Sequence, residues 1–188
     1  DRLLLATGSQ PFVLPVPGHD LDGVISYRDI ADTNAMIEAA RTHRHAVVIG
    51  GGLLGLEAAN GLNQRGMKVT VVHLGDWLLE RQLDREAAGL LEAELRTRGL
   101  GFALSAQTSA CMADDSGRVR AVQLKDGREI PADLVVMAAG VRPDVRLATA
   151  MGLECQRGVL VNDTLQTLTD PRIYAVGECV SHRGTAYG

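Results

Sequence analysis

The apolar positions of this chain fall into two kinds of pattern. The first is the short unbroken run: LLLA within DRLLLATGSQP at 1–11, AVVI at 46–49, LVVMAA within DLVVMAAGVRP at 133–143, and IYAV at 173–176, with KVTVV at 68–72 reading as a further strand. Runs of this length, closed by small residues, Gly or Pro, predict strands buried on both faces. The second is helical spacing. It places Ile30, Met36, Ile37 and Ala40 on one face behind a cap at Ser26 or Asp29, makes a helix of 53–65, and sets Ala87, Ala88, Leu91 and Leu95 inward between a cap at Asp84 and a stop at Gly99. SQPFVLPVPGHDLDG, with three prolines and two glycines, reads as an extended, turn-rich connection. From Gly101 the pattern changes to short strands, and Asp115, Ser116 and Gly117 supply the turn chemistry of a hairpin. Strands alternating with helices, interrupted by a small antiparallel β excursion, predict an α/β fold.

Two of these runs repeat one another. DRLLLATGSQP and DLVVMAAGVRP align without a gap, so that Asp1, Ala6, Gly8 and Pro11 are matched by Asp133, Ala138, Gly140 and Pro143. The shared pattern predicts two corresponding strands, each ending at a turn.

HAVVIGGGLLGLEAANGLNQRGMKVTVVHL carries the clearest chemistry. Strand, G-x-G-x-x-G from Gly50, Gly52 and Gly55, helix and second strand follow in the order of a parallel βαβ unit. The first glycine permits the tight turn, the second lets the backbone approach a diphosphate, and the third lets helix pack on strand. Free N–H groups and the helix dipole at that N-terminus favour negative charge. The segment is therefore a candidate dinucleotide site. At the end of the second strand, where an acidic residue about 20 positions after the motif would hold an adenosine ribose, this chain has His73. No carboxylate stands at that position to select NADH, and no Arg follows directly to hold a 2′-phosphate. The neighbours Leu74 and Gly75 lean towards NADH, Arg81 and Arg85 are near enough to reverse that lean, and His73 itself reads equally as an exposed strand end.

Composition narrows the class. With 46% hydrophobic and 22% charged residues the chain is of ordinary globular type. A net charge of −4 and 3% aromatic residues give no reason to expect nucleic acid or an anionic membrane as partner. No apolar stretch approaches the roughly 20 residues of a membrane helix, so the expected compartment is the cytoplasm. Cys111, Cys155 and Cys179 are scattered and no CxxC occurs, which fits reduced thiols. His43 and His45 lack a third ligand nearby and read as a solvated loop. A start at Asp1, directly on a buried-type strand, gives the expectation of a piece cut from something longer.

Taken together, ATG at 6–8, GGGLLGLEAA at 50–59, AAGVRPD at 138–144 and TDPRIYAVGEC at 169–179 resemble the FAD/NAD(P)-dependent pyridine nucleotide-disulfide oxidoreductase superfamily. Three details are most like the N-terminal flavin region of the large subunit of NAD(P)H-dependent nitrite reductases: His73 after VTVV, LLERQLD at 78–84 and GECVSHRGTAYG at 177–188. The resemblance implies a Rossmann-like NAD(P)-binding domain over 25–145, inserted in a partial FAD-binding domain formed by 1–24 and the returning segment 146–188. It puts Thr7 and Gly8 at the edge of the FAD site and brings Gly177 and Glu178 towards the ribityl and phosphate region, although similar enzymes carry Asp where this chain has Glu178. It gives the NAD(P) diphosphate to Gly50, Gly51, Gly52, Leu53, Leu54 and Gly55, with His73 and Arg81 towards the ribose and Ala139 and Gly140 bordering the nicotinamide half. Glu57 matches a position near nicotinamide and flavin, with a positioning role. The implied activity is hydride transfer from NAD(P)H to FAD and onward passage of electrons towards nitrite. It also implies a downstream iron–sulfur and sirohaem region in a parent chain, leaves a homodimer open, and expects the isolated piece to be inactive. Relatives serving rubredoxin, ferredoxin or oxygen, and a non-catalytic dinucleotide-binding module, are the alternatives.

Overall fold

A computed structural model describes residues 1–186. In chain order the elements are β1 (Leu3–Leu5), β2 (Ser9–Pro11), β3 (Val24–Ser26), α1 (Ile30–Thr42), β4 (His45–Ile49), α2 (Leu53–Gln64), β5 (Lys68–Val72), α3 (Arg85–Thr97), β6 (Gly101–Ala103) and β7 (Thr108–Ala113). They continue as β8 (Val119–Leu124), β9 (Glu129–Pro131), β10 (Leu134–Met137), β11 (Val141–Pro143), α4 (Arg146–Ala150), β12 (Val159–Val161), β13 (Ile173–Ala175), a 3-10 turn over Gly177–Cys179, β14 (Val180–His182) and β15 (Thr185–Ala186). The last two residues of GECVSHRGTAYG lie outside the described residues. Packing divides the chain into two compact units: Pro11–Gly140, and Asp1–Gln10 with the chain from Val141 onward.

The Pro11–Gly140 unit is built on a five-stranded sheet in the order β3-β10-β4-β5-β6, with every neighbouring pair parallel. Alternation along β4 explains why its run is apolar throughout. Ala46 and Val48 pack with Met36, Ala58, Leu62 and Leu95 from the three helices, while Val47 and Ile49 pack with Val119, Val122 and Leu124 from the hairpin region. That region forms a three-stranded antiparallel sheet, β7-β8-β9. One face of the parallel sheet thus meets helices and the other meets a second sheet, so side chains on both faces are buried. Of the two candidate caps for α1, Asp29 is the cap: its carboxylate accepts from Asp32 N–H at 3.0 Å, and the Asp32 carboxylate accepts from Asp29 N–H at 3.3 Å. Asp84 caps α3 by accepting from Ala87 N–H at 2.8 Å.

The other unit is smaller. Parallel β1 and β13 form one ribbon, β12, β14 and β15 another sheet, and Leu5, Leu153, Val159, Val161, Ala175 and Val180 share its core. Here one expectation fails. β10 is buried at all four positions, but in β1 only Leu5 is buried, Leu3 and Leu4 being 42% and 59% exposed. The reason is topological: β10 has strands on both edges and layers on both faces, whereas among the described residues β1 pairs on one edge, with β13. The repeated stretches correspond in backbone instead. Each strand runs into a glycine with positive φ, +67° at Gly8 and +113° at Gly140, and the strands that follow, β2 and β11, pair with each other.

Candidate functional site

In the Pro11–Gly140 unit the carboxyl ends of β10, β4 and β5 converge, the position at which open α/β sheets bind ligands. The three motif glycines meet different surroundings. Gly50 has φ +126° and an added Cβ would lie 2.2 Å from Ala138 O, so the turn out of β4 is closed against the end of β10. At Gly55 an added Cβ would lie 1.9 Å from Gly50 O, which lets α2 start directly against the strand end. At Gly52, the N-cap of α2, an added Cβ would meet nothing within 4 Å. The first and third glycines are thus required by the fold, while the second borders open space. No side chain caps this helix. The N–H groups of Leu53 and Leu54 lie in the first turn, where no intrahelical acceptor exists, and face the same N-terminus as Gly52. Uncapped donors beside an open surface offer hydrogen bonds to an anion of the diphosphate type.

His73 is not an exposed strand end; its side chain is 13% exposed. Nδ1 accepts from Gly51 N–H at 3.1 Å, which leaves the ring proton on Nε2 in the neutral form. The loop after it is tied down twice, by Leu79 N–H donating to Gly51 O at 3.0 Å and by the fully buried Leu78. Both backbone groups of Gly51 are therefore taken within the protein. Arg81 is exposed and forms no ion pair among the described residues. Arg85 is engaged elsewhere, 3.7 Å from the Asp76 carboxylate and over the Trp77 ring at 5.2 Å. Ala139 and Gly140 follow β10 as exposed backbone, with Ala139 N–H beside Gly50. Glu57, in the second turn of α2, is exposed and likewise forms no ion pair among the described residues. Among the described residues no group of three or more His, Cys, Asp or Glu could hold a metal. No helix there is long and apolar enough to cross a membrane.

In the other unit two sets of hydrogen bonds reach the expected residues, one tying Ser9 to Glu178 and the other tying Asp144 to Thr7 and Gly8, while Gly177 opens the 3-10 turn that carries Glu178. Ser9 Oγ donates to Glu178 Oε2 at 2.7 Å, and Thr7 Oγ1 donates to Asp144 O at 2.6 Å. Asp144, in AAGVRPD, accepts from the Arg146 guanidinium at 2.9 and 2.6 Å and from Gln10 Nε2 at 3.1 Å. These donors, Arg146 foremost, hold its carboxyl far below the usual carboxylate range. A depressed folded-state pKa contributes stability above the ordinary carboxylate pKa of about 4, which is lost as pH falls towards the folded value. Asp144→Asn is therefore expected to lower the urea midpoint near neutrality, with the deficit shrinking steadily as pH falls from about 5 towards 2. A deficit unchanged with pH would assign the cluster a packing role alone.

The chain spans from about a fifth to about half of the length of the curated relatives it matches. It is 54% identical over 188 residues to a nitrite reductase [NAD(P)H] of Bacillus subtilis (strain 168), covering 100% of this chain and 23% of that protein. An assimilatory nitrate reductase electron transfer subunit of the same organism is 48% identical over 190 residues, with 100% and 24% covered. Among solved structures, the ferredoxin reductase for the CYP199A2 system of Rhodopseudomonas palustris superposes with a TM-score of 0.91 at 32% identity, covering 96% of this chain and 44% of that one. Residues 1–187 match the family model described as pyridine nucleotide-disulphide oxidoreductase, and the chain belongs to that family.

Proposed function

We propose that this chain is the nicotinamide-nucleotide domain and part of the flavin domain of an NAD(P)H-dependent flavin oxidoreductase that passes electrons from NAD(P)H through FAD towards nitrite. The observation that carries the reading is the glycine cradle: closed at Gly50 and Gly55 and open at Gly52, before an uncapped helix start. Such a surface suits a dinucleotide diphosphate. Identity of 54% along the whole chain to a nitrite reductase supports the acceptor.

Gly52 and the first-turn N–H groups of α2 would hold the diphosphate, and Ala139 and Gly140 would border the nicotinamide half. Glu57 would position the ring rather than move a proton. In the flavin part, Thr7 and Gly8 would form one edge, and the Gly177–Cys179 turn would present Glu178, already oriented by Ser9, towards the ribityl chain. FAD, when bound, supplies hydride acceptance and stepwise electron delivery. A downstream iron–sulfur and sirohaem region, a cytoplasmic setting and a homodimer belong to the same reading, as does inactivity of the 188-residue piece alone.

The test is nitrite-dependent oxidation of NADH and NADPH by the full-length protein. Turnover with a ferredoxin, rubredoxin or oxygen but not nitrite would favour the second reading, supported by the likeness to a ferredoxin reductase. Bound flavin that NAD(P)H fails to reduce would instead mark a non-catalytic binding module.

A further inference from the structure

The end of β5 carries no acidic residue, but a carboxylate, that of Glu80, stands in the loop that follows. Glu80 Oε2 lies 3.8 Å from His73 Nε2, and an added Cβ at Gly75 would come within 2.0 Å of the same oxygen. The carboxylate therefore sits over the Gly75 backbone, beside the ring that underlies the glycine loop. That ring also fixes the polarity of the site. Because Nδ1 accepts from Gly51, Nε2 carries the proton, and this buried N–H has no hydrogen-bond partner among the described residues. At 3.8 Å Glu80 is too far to accept it but is the nearest carboxylate facing it, and its side chain is 48% exposed. A half-exposed carboxylate beside an unsatisfied N–H, one step along from the diphosphate cradle, occupies the place where a dinucleotide fold meets the adenosine ribose.

We propose that Glu80, held over Gly75 beside His73, reads the adenosine ribose of the nicotinamide dinucleotide and selects NADH against NADPH. The inference rests on the nucleotide-site reading above. A carboxylate accepts hydrogen bonds from ribose hydroxyls, while a 2′-phosphate bringing a charge of about −1.5 to −2 would face it with like sign. The competing cation is Arg81, since Arg85 is engaged by Asp76 and Trp77.

The experiment is calorimetric titration of the full-length, FAD-loaded protein with ADP-ribose and with its 2′-phosphorylated form, which reads this subsite without any turnover. The wild type is expected to bind ADP-ribose more tightly. Glu80→Gln should weaken ADP-ribose about tenfold or more, as loss of hydrogen bonds to a charged group does, and so narrow the ratio between the two ligands. Glu80→Asp should retain part of the preference. Arg81→Ala should weaken the 2′-phosphorylated ligand more than ADP-ribose and so widen the ratio. A ratio unaltered in Glu80→Gln, with both ligands still binding and the melting temperature unchanged, would overturn the role of Glu80. So would a wild-type preference for the 2′-phosphorylated ligand that Arg81→Ala removes. A wild type that binds neither ligand would overturn the nucleotide-site reading itself, and the proposal with it.

Discussion

Gly50→Ala is expected to destabilise the Pro11–Gly140 unit by about 3–5 kcal/mol, at the severe end of single substitutions. Two costs add. At φ +126° an L side chain is strained whatever the space around it, a penalty of about 1–3 kcal/mol. The new methyl would also lie 2.2 Å from Ala138 O and 2.6 Å from its carbonyl carbon. Those are backbone atoms of the segment that follows β10, and Ala138 N–H is itself bonded to Ile49 O at 2.9 Å. Relief therefore means pulling β4 and β10 apart, in the middle of a sheet whose side chains are buried on both faces. Against a typical total of about 5–15 kcal/mol, such a loss should bring the urea midpoint down by a large fraction and remove nucleotide binding with it. A midpoint within error of the wild type would show that the strand ends are free to separate, and would undo the assignment of this glycine to the fold.

The βαβ core was legible because its residues respond to local rules. KVTVV is a strand with the ends its sequence suggests, Asp84 caps its helix, and the motif glycines fall at the end of β4, at the N-cap of α2 and in its first turn. Less legible was whatever depends on partners. The runs LLLA and LVVMAA look alike, yet Leu3 and Leu4 are exposed and β10 is buried, since burial is set by how many neighbours a strand acquires and not by its own composition. The hairpin region could be read as antiparallel from its turns, but not as the layer that covers Val47 and Ile49. His73 was visible by position alone; that its ring turns under Gly51, and that Glu80 comes to it across Gly75, depend on a loop held by Leu78 and Leu79. Asp144 and Ser9 were likewise hidden, because their partners lie far away in sequence: 134 residues from Asp144 to Gln10 and 169 from Ser9 to Glu178.

Gly52→Val should separate binding from folding in the opposite sense. Gly52 has φ −83°, which any residue adopts, and an added Cβ would meet nothing within 4 Å. As an N-cap, Val is poorer than Gly, but this helix start makes no side-chain cap hydrogen bond that could be lost, so the stability change should stay within about 1 kcal/mol. The nucleotide should feel the change far more. A diphosphate held by the first-turn N–H groups of α2 must approach the backbone where the two new methyl groups would project, and a ligand pushed outward loses short charge-assisted hydrogen bonds. NADH affinity is expected to fall about ten- to hundredfold, corresponding to about 1.4–2.8 kcal/mol, while the urea midpoint stays near that of the wild type. Equilibrium titration beside a denaturation curve on the same preparation checks both halves. Undiminished NADH binding would place the diphosphate away from Gly52 and remove the cradle from the site, because the open space there would then have no ligand to account for it. A fall in affinity with folding intact, set against collapse of both in Gly50→Ala, would assign the two glycines to different tasks: Gly50 to closing the sheet and Gly52 to admitting the ligand.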